Sequence, residues 1–75
     1  MIKDKQIAAE ISELMQAHYR QLDTSLIRVQ QHCSEEEFNA YRYAVAHILA
    51  EALFQVVNPL YEQHPELKPE GWDEN

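Results

Sequence analysis

Glycine is nearly missing from this 75-residue chain. One Gly and three Pro leave too few turn-forming residues for the tight hairpins of an all-β sandwich or barrel. A lone cysteine, Cys33, rules out an intramolecular disulfide, so no covalent staple supports the core and a reducing, cytoplasmic setting is expected. Cations are scarce as well. Six Lys and Arg against thirteen Asp and Glu give a formal charge of -7. That balance opposes phosphate backbones and anionic lipid, so neither nucleic acid nor membrane is an expected partner. The N-terminus lacks the continuous apolar stretch of a signal peptide. The most apolar segment, from Tyr41 to Tyr61, is interrupted by Arg42, His47, Glu51, Gln55 and Asn58, and is expected to fall short of an uncharged membrane span.

Apolar periodicity takes the place of turns. From Asp4 to His32, free of Pro and Gly, Ile7, Ile11, Leu14, Met15, His18, Leu22, Leu26 and Val29 recur at steps of mostly three or four. That is one apolar face of a long helix, with His18 on its core stripe. Ser34 and Glu37 then match the S-x-x-E capping box, and Glu35, Glu36 and Glu37 place negative charge where a helix N-terminus favours it. A second helix is expected from Glu35 to about Asn58, with a kink at Pro59, which lacks an N–H, and a last short turn capped by Asn58 over Pro59, Leu60, Tyr61, Glu62 and Gln63. The fold class is all-α: an antiparallel two-helix hairpin over residues 1–61, with helices near 4–32 and 35–58. An acidic, Pro-containing tail follows over 62–75, where five acids stand against Lys68.

The second helix is apolar over most of its girth, and one neighbouring helix cannot cover it. Two hairpins related by a two-fold axis would form a four-helix bundle with the second helices at its centre. The expected dimer interface is Tyr41, Val45, Ile48, Leu49, Leu53, Phe54 and Val56. The alternative is that the tail folds back over this face.

Catalytic constellations are sparse. No two histidines stand four apart and no Glu precedes a His by three, so the E-x-x-H pattern of di-iron bundles is absent. His47 and Glu51 lie one turn apart in a stripe that continues to Gln55. It reads first as a solvent face, and only in a dimer as a source of metal ligands. His32 and Cys33 adjoin at the turn, but a nucleophilic thiolate also needs a base and a pocket. No catalytic residue, cofactor or metal is therefore expected. Trp72, between Glu70 and Asp73, reads as an aromatic anchor either for the chain's own body or for a partner.

The run Cys33-Ser34-Glu35-Glu36-Glu37-Phe38, followed by Asn58-Pro59-Leu60-Tyr61 and His64-Pro65-Glu66-Leu67-Lys68-Pro69, resembles small acidic bacterial helical-hairpin proteins of uncharacterised activity. The resemblance spans residues 33–69 and implies a helical hairpin, with no functional residue attached. The expected function is a non-catalytic cytoplasmic interaction module acting as a homodimer, with a basic protein as candidate partner. The alternative is a small acidic inhibitor, an immunity protein or antitoxin, covering a basic site. A metal-binding or enzymatic bundle ranks below both.

Overall fold

In the computed structural model, which describes residues 1–72, Asp4 starts the first helix by accepting the Ile7 N–H at 2.9 Å. One of the orphan donors of the first turn is thereby satisfied. Helix α1 runs Lys5–His32, and its 28 residues span about 42 Å at ~1.5 Å each, close to the 44 Å long dimension of the molecule. Only Cys33 and Ser34 separate it from α2, Glu35–Ala52. The capping box is complete: Glu37 N–H donates to Ser34 Oγ at 3.1 Å, and Ser34 N–H donates to a Glu37 carboxylate oxygen at 3.0 Å.

The helix does not stop at Asn58. It continues through a π-helical turn, Leu53–Val57, into α3, Asn58–Gln63. Pro59 explains the turn. In a regular helix its ring would strike the carbonyl four residues back, that of Gln55. Here the Asn58 N–H bonds to the Leu53 carbonyl five residues back, and the extra residue in that turn relieves the crowding. The expected kink takes the form of a local widening.

The chain after α3 is not a free tail. A 3₁₀ turn over Pro65–Leu67 leads to a β-turn in which Trp72 N–H donates to Pro69 carbonyl oxygen at 3.1 Å. Gly71, at φ 83°, occupies its third position. A positive φ there defines a type II turn, so the single glycine stands where a Cβ would be unfavourable. The turn brings Trp72 back onto Tyr61. The core comprises Ala8, Val57, Leu60 and Tyr61, with Ile2, Ile11, Met15, Leu53, Leu67 and Trp72 packed around it. A second packed point lies nearer the turn, where Val45 is buried. Beside it the Ser25 hydroxyl donates to Leu22 carbonyl oxygen at 2.6 Å, so Tyr41 O–H is the donor in the 2.7 Å bond between Tyr41 and Ser25.

Much apolar surface remains uncovered. The chain exposes 5846 Å², whereas a folded monomer of its mass exposes about 4,800 Å². Its radius of gyration is 14.6 Å against about 11 Å for a compact chain of this length. The continuous helix Glu35–Gln63 also contains an eighteen-residue window of mean hydropathy 1.2, enough by length and composition to cross a membrane. The interruptions counted in the sequence are thus outweighed by the Ala, Leu, Ile and Val between them. Helix α1, which packs beside it, carries Lys5, Glu10, Glu13, Arg20, Asp23 and Arg28.

Candidate functional site

The seven expected interface residues divide by location. Val45 is buried within the single chain, and Tyr41 is half-buried and hydrogen-bonded to α1, so α1 already covers both. Leu49, Leu53 and Val56 are half-buried. Ile48 and Phe54 stand out at 55% and 66% exposure, joined by Tyr43 at 70%, which the interface list omitted. Tyr43 and Phe54 are eleven residues apart, about three helical turns, and so share the outer side of the long helix. Small Ala46 and Ala50 lie between them.

Between the two packed points the helices leave an open groove of about 660 Å³. The Ser12–Tyr61 hydroxyl pair, 2.5 Å, marks one end and the Ser25–Tyr41 pair the other. From α1 it is walled by Met15, Tyr19 and Leu22, and from α2 and the π turn by Ile48, Leu49 and Leu53. Tyr61, Pro69 and Trp72 close one end. Among the described residues no Asp or Glu lines it, although thirteen are present in the chain. Its charged or titratable lining residues other than Tyr61 and Tyr19 are Arg20 and His18. His18 is exposed rather than in the core, with Nδ1 at 3.2 Å from Leu14 carbonyl oxygen.

Trp72 is half-buried and meets Tyr61 edge-to-face at 5.1 Å between ring centroids. Glu70 is exposed on the same turn. Asp73, the third expected partner-binding residue, lies outside the described residues.

A polar cluster that periodicity did not flag joins the two chain ends. His64 is buried, its Nε2–H donates to Ile2 carbonyl oxygen at 2.6 Å, and its Nδ1 lies 3.5 Å from Glu66 Oε1. Lys5 reaches the same Glu66 oxygen at 3.9 Å. The Glu66 carboxyl is held below its ordinary value chiefly by its own backbone N–H, with help from Lys5 and His64 and against some desolvation. Glu37 is likewise lowered, by the Ser34 backbone N–H first and its side chain second. Nothing in the sequence pattern signals His64, because it follows the last helix and belongs to no periodic stripe.

The His47, Glu51, Gln55 stripe is exposed. Gln55 donates to Glu51 at 3.5 Å, and the His47 ring stacks edge-on against Tyr43 at 4.6 Å. Cys33 is exposed at the turn. Among the described residues no three His, Cys, Asp or Glu side chains converge as metal ligands. No family model, curated protein or solved structure matches this chain. The candidate sites are therefore the outer face of α2 and the groove.

Proposed function

We propose that this protein is a non-catalytic, cytoplasmic interaction module that acts as a homodimer, its two long helices meeting across the face that carries Tyr43 and Phe54. The observation that carries the reading is the surface excess. Each chain exposes about 1,000 Å² more than a monomer of its mass, so a pair would remove about 2,000 Å², within the range of obligate homodimers. The exposed aromatics are three turns apart with Ala46 and Ala50 between, the alternation of large and small that lets two copies of one helix interlock about a two-fold axis.

Light scattering behind gel filtration tests it. A mass of two chains is expected, and Phe54→Glu should return one chain while circular dichroism keeps its helical signal, since Phe54 is exposed and supports no core contact. A single-chain mass for the parent at 100 μM would end the reading.

One observation favours a second reading, an acidic inhibitor that covers a basic protein site. Glu35, Glu36 and Glu37 are exposed together at the hairpin tip of a chain with charge -7. Such a patch speeds encounter with a basic surface and is weakened by salt.

A further inference from the structure

We propose that two copies of this chain, paired antiparallel across the outer face of α2, hold one zinc-type divalent cation between them, with His47 and Glu51 of each copy as its four ligands. The inference rests on the homodimer reading and deepens it, because one chain supplies only half of the site. Three observations carry it.

The first is placement. At about 100° per residue, His47 lies about 40° round α2 from Tyr43 and Glu51 about 40° further to the same side, so the pair occupies the pairing face and its flank. Both are exposed in the single chain, and a spacing of four sets two ligands on one helix face within reach of one ion. Charge selects the antiparallel arrangement, since a parallel one would bring the Glu35, Glu36 and Glu37 tips of both copies together. In an antiparallel pair the two-fold axis crosses the seam at right angles to the helices, and each flank meets the same flank of the other copy. With the face centred midway between Tyr43 and Phe54, His47 and the partner's Glu51 differ by one residue in height, about 1.5 Å.

The second is the state of the donor atoms. Among the described residues neither ring nitrogen of His47 has a hydrogen-bond partner, and the Tyr43 ring, edge-on at 4.6 Å, packs the imidazole against this face. Gln55 donates to one Glu51 oxygen at 3.5 Å and leaves the other open, the outer-shell support that ligating carboxylates carry. Two imidazole nitrogens and two carboxylate oxygens make a tetrahedral set suited to zinc.

The third is charge. Pairing brings two Glu51 carboxylates to a seam that also holds Tyr43 and Phe54, and with neutral histidines nothing on this face offsets them. Arg42, the only Lys or Arg in α2, lies about 100° from Tyr43 on the opposite flank, over the Phe38 ring. A carboxylate without a partner is costly to bury, and one dication cancels both. Between chains of charge -7 it also puts a bridge where there was repulsion.

The experiment takes the full chain, stripped with chelator, and titrates it with zinc, cobalt(II) and magnesium, reading heat, visible absorption and sedimentation equilibrium. One zinc per two chains is expected, with no magnesium bound at the same concentration. Cobalt(II) in the site should show the intense visible bands of tetrahedral coordination. Once free zinc stands tenfold above its own dissociation constant, the dissociation constant of the dimer should fall about tenfold. His47→Ala and Glu51→Gln, both at exposed positions, should keep the helical signal and lose the zinc effect, whereas Phe54→Glu should lose the pairing itself.

A two-chain mass with no zinc uptake sinks the metal and spares the pairing, and a one-chain mass with and without zinc sinks both. Uptake of one zinc per chain overturns the proposal. Zinc binding that survives His47→Ala and is lost in Cys33→Ser belongs to the turn at His32 and Cys33, and overturns it as well. So does a parent that takes up no zinc but whose dimer weakens in His47→Ala, because His47 and the partner's Glu51 then bond directly across the seam.

Discussion

Gly71 and Tyr61 together hold Trp72 on the hairpin. The glycine turns the backbone at φ 83°, and the tyrosine receives Trp72 on its ring while its hydroxyl pairs with Ser12. An alanine at 71 would have to enter the left-handed region at a cost of roughly 1–2 kcal/mol, comparable to the edge-to-face ring contact of about 0.5–1.5 kcal/mol that the turn secures. Gly71→Ala should therefore weaken the docking of Trp72 and red-shift its emission, with the far-ultraviolet dichroism of α1 and α2 unchanged. Glu37 carries the matching argument at the other end of α2. Its bonds from Ser34 favour the ionised form, so its carboxyl titrates lower folded than unfolded. The stabilisation is present above the ordinary glutamate value of about 4.3 and disappears as pH falls through the lowered folded value. Thermal melts of Glu37→Gln should fall below the parent at pH 7, and the gap should close as pH falls through the lowered folded value.

Helix α2 passes into α3 because Leu60 and Tyr61 have a core to enter on Ala8 and Ile11, and that packing outweighs the helix-stopping tendency of Pro59. The π turn behaves as one inserted residue. Deleting Gln55 together with Pro59→Ala should restore a regular helix and keep Leu60 and Tyr61 on the core side, with a melt near that of the parent. Deleting Ala46 instead rotates everything beyond it by about 100°, carries Leu60 and Tyr61 out of the core and should unfold the C-terminal half. Circular dichroism melts of the two variants separate these outcomes. The same element shows what the sequence could convey. The capping box and apolar periodicity are local, so both long helices and their two-residue turn were legible from residues 4 to 52. Pro59 is local too, but whether it breaks a helix or widens it depends on partners far along the chain. Ala8 and Ser12 are buried although neither is strongly apolar, because two helices approach most closely over small side chains. That made Ile7, Leu14 and His18 better core candidates on paper than they are in the fold. The return of Trp72 to Tyr61, the Ile2–His64 bond and the groove all arise from tertiary placement, for which a 3.6-residue period carries no signal.

At the scale of the whole molecule, shape and charge pull association in opposite directions, and salt separates the two readings. An elongated chain of 44 by 22 by 16 Å with excess apolar surface favours pairing, while a charge of -7 on each copy opposes it. The repulsion acts over a Debye length of about 14 Å at 50 mM salt and about 4 Å at 500 mM. The apolar contact at Tyr43 and Phe54 is not screened. Self-association should therefore tighten as salt rises over that range, with sedimentation equilibrium recording a lower dissociation constant at 500 mM. A complex between this acidic surface and a basic partner has the opposite sign, because screening removes its attraction and slows its encounter. Since both trends come from the same charges, one salt series read on the isolated chain decides which term governs it. A dimer that weakens with salt would place ion pairs, and not the apolar face of α2, at its interface, and would shift the pairing surface away from Tyr43 and Phe54.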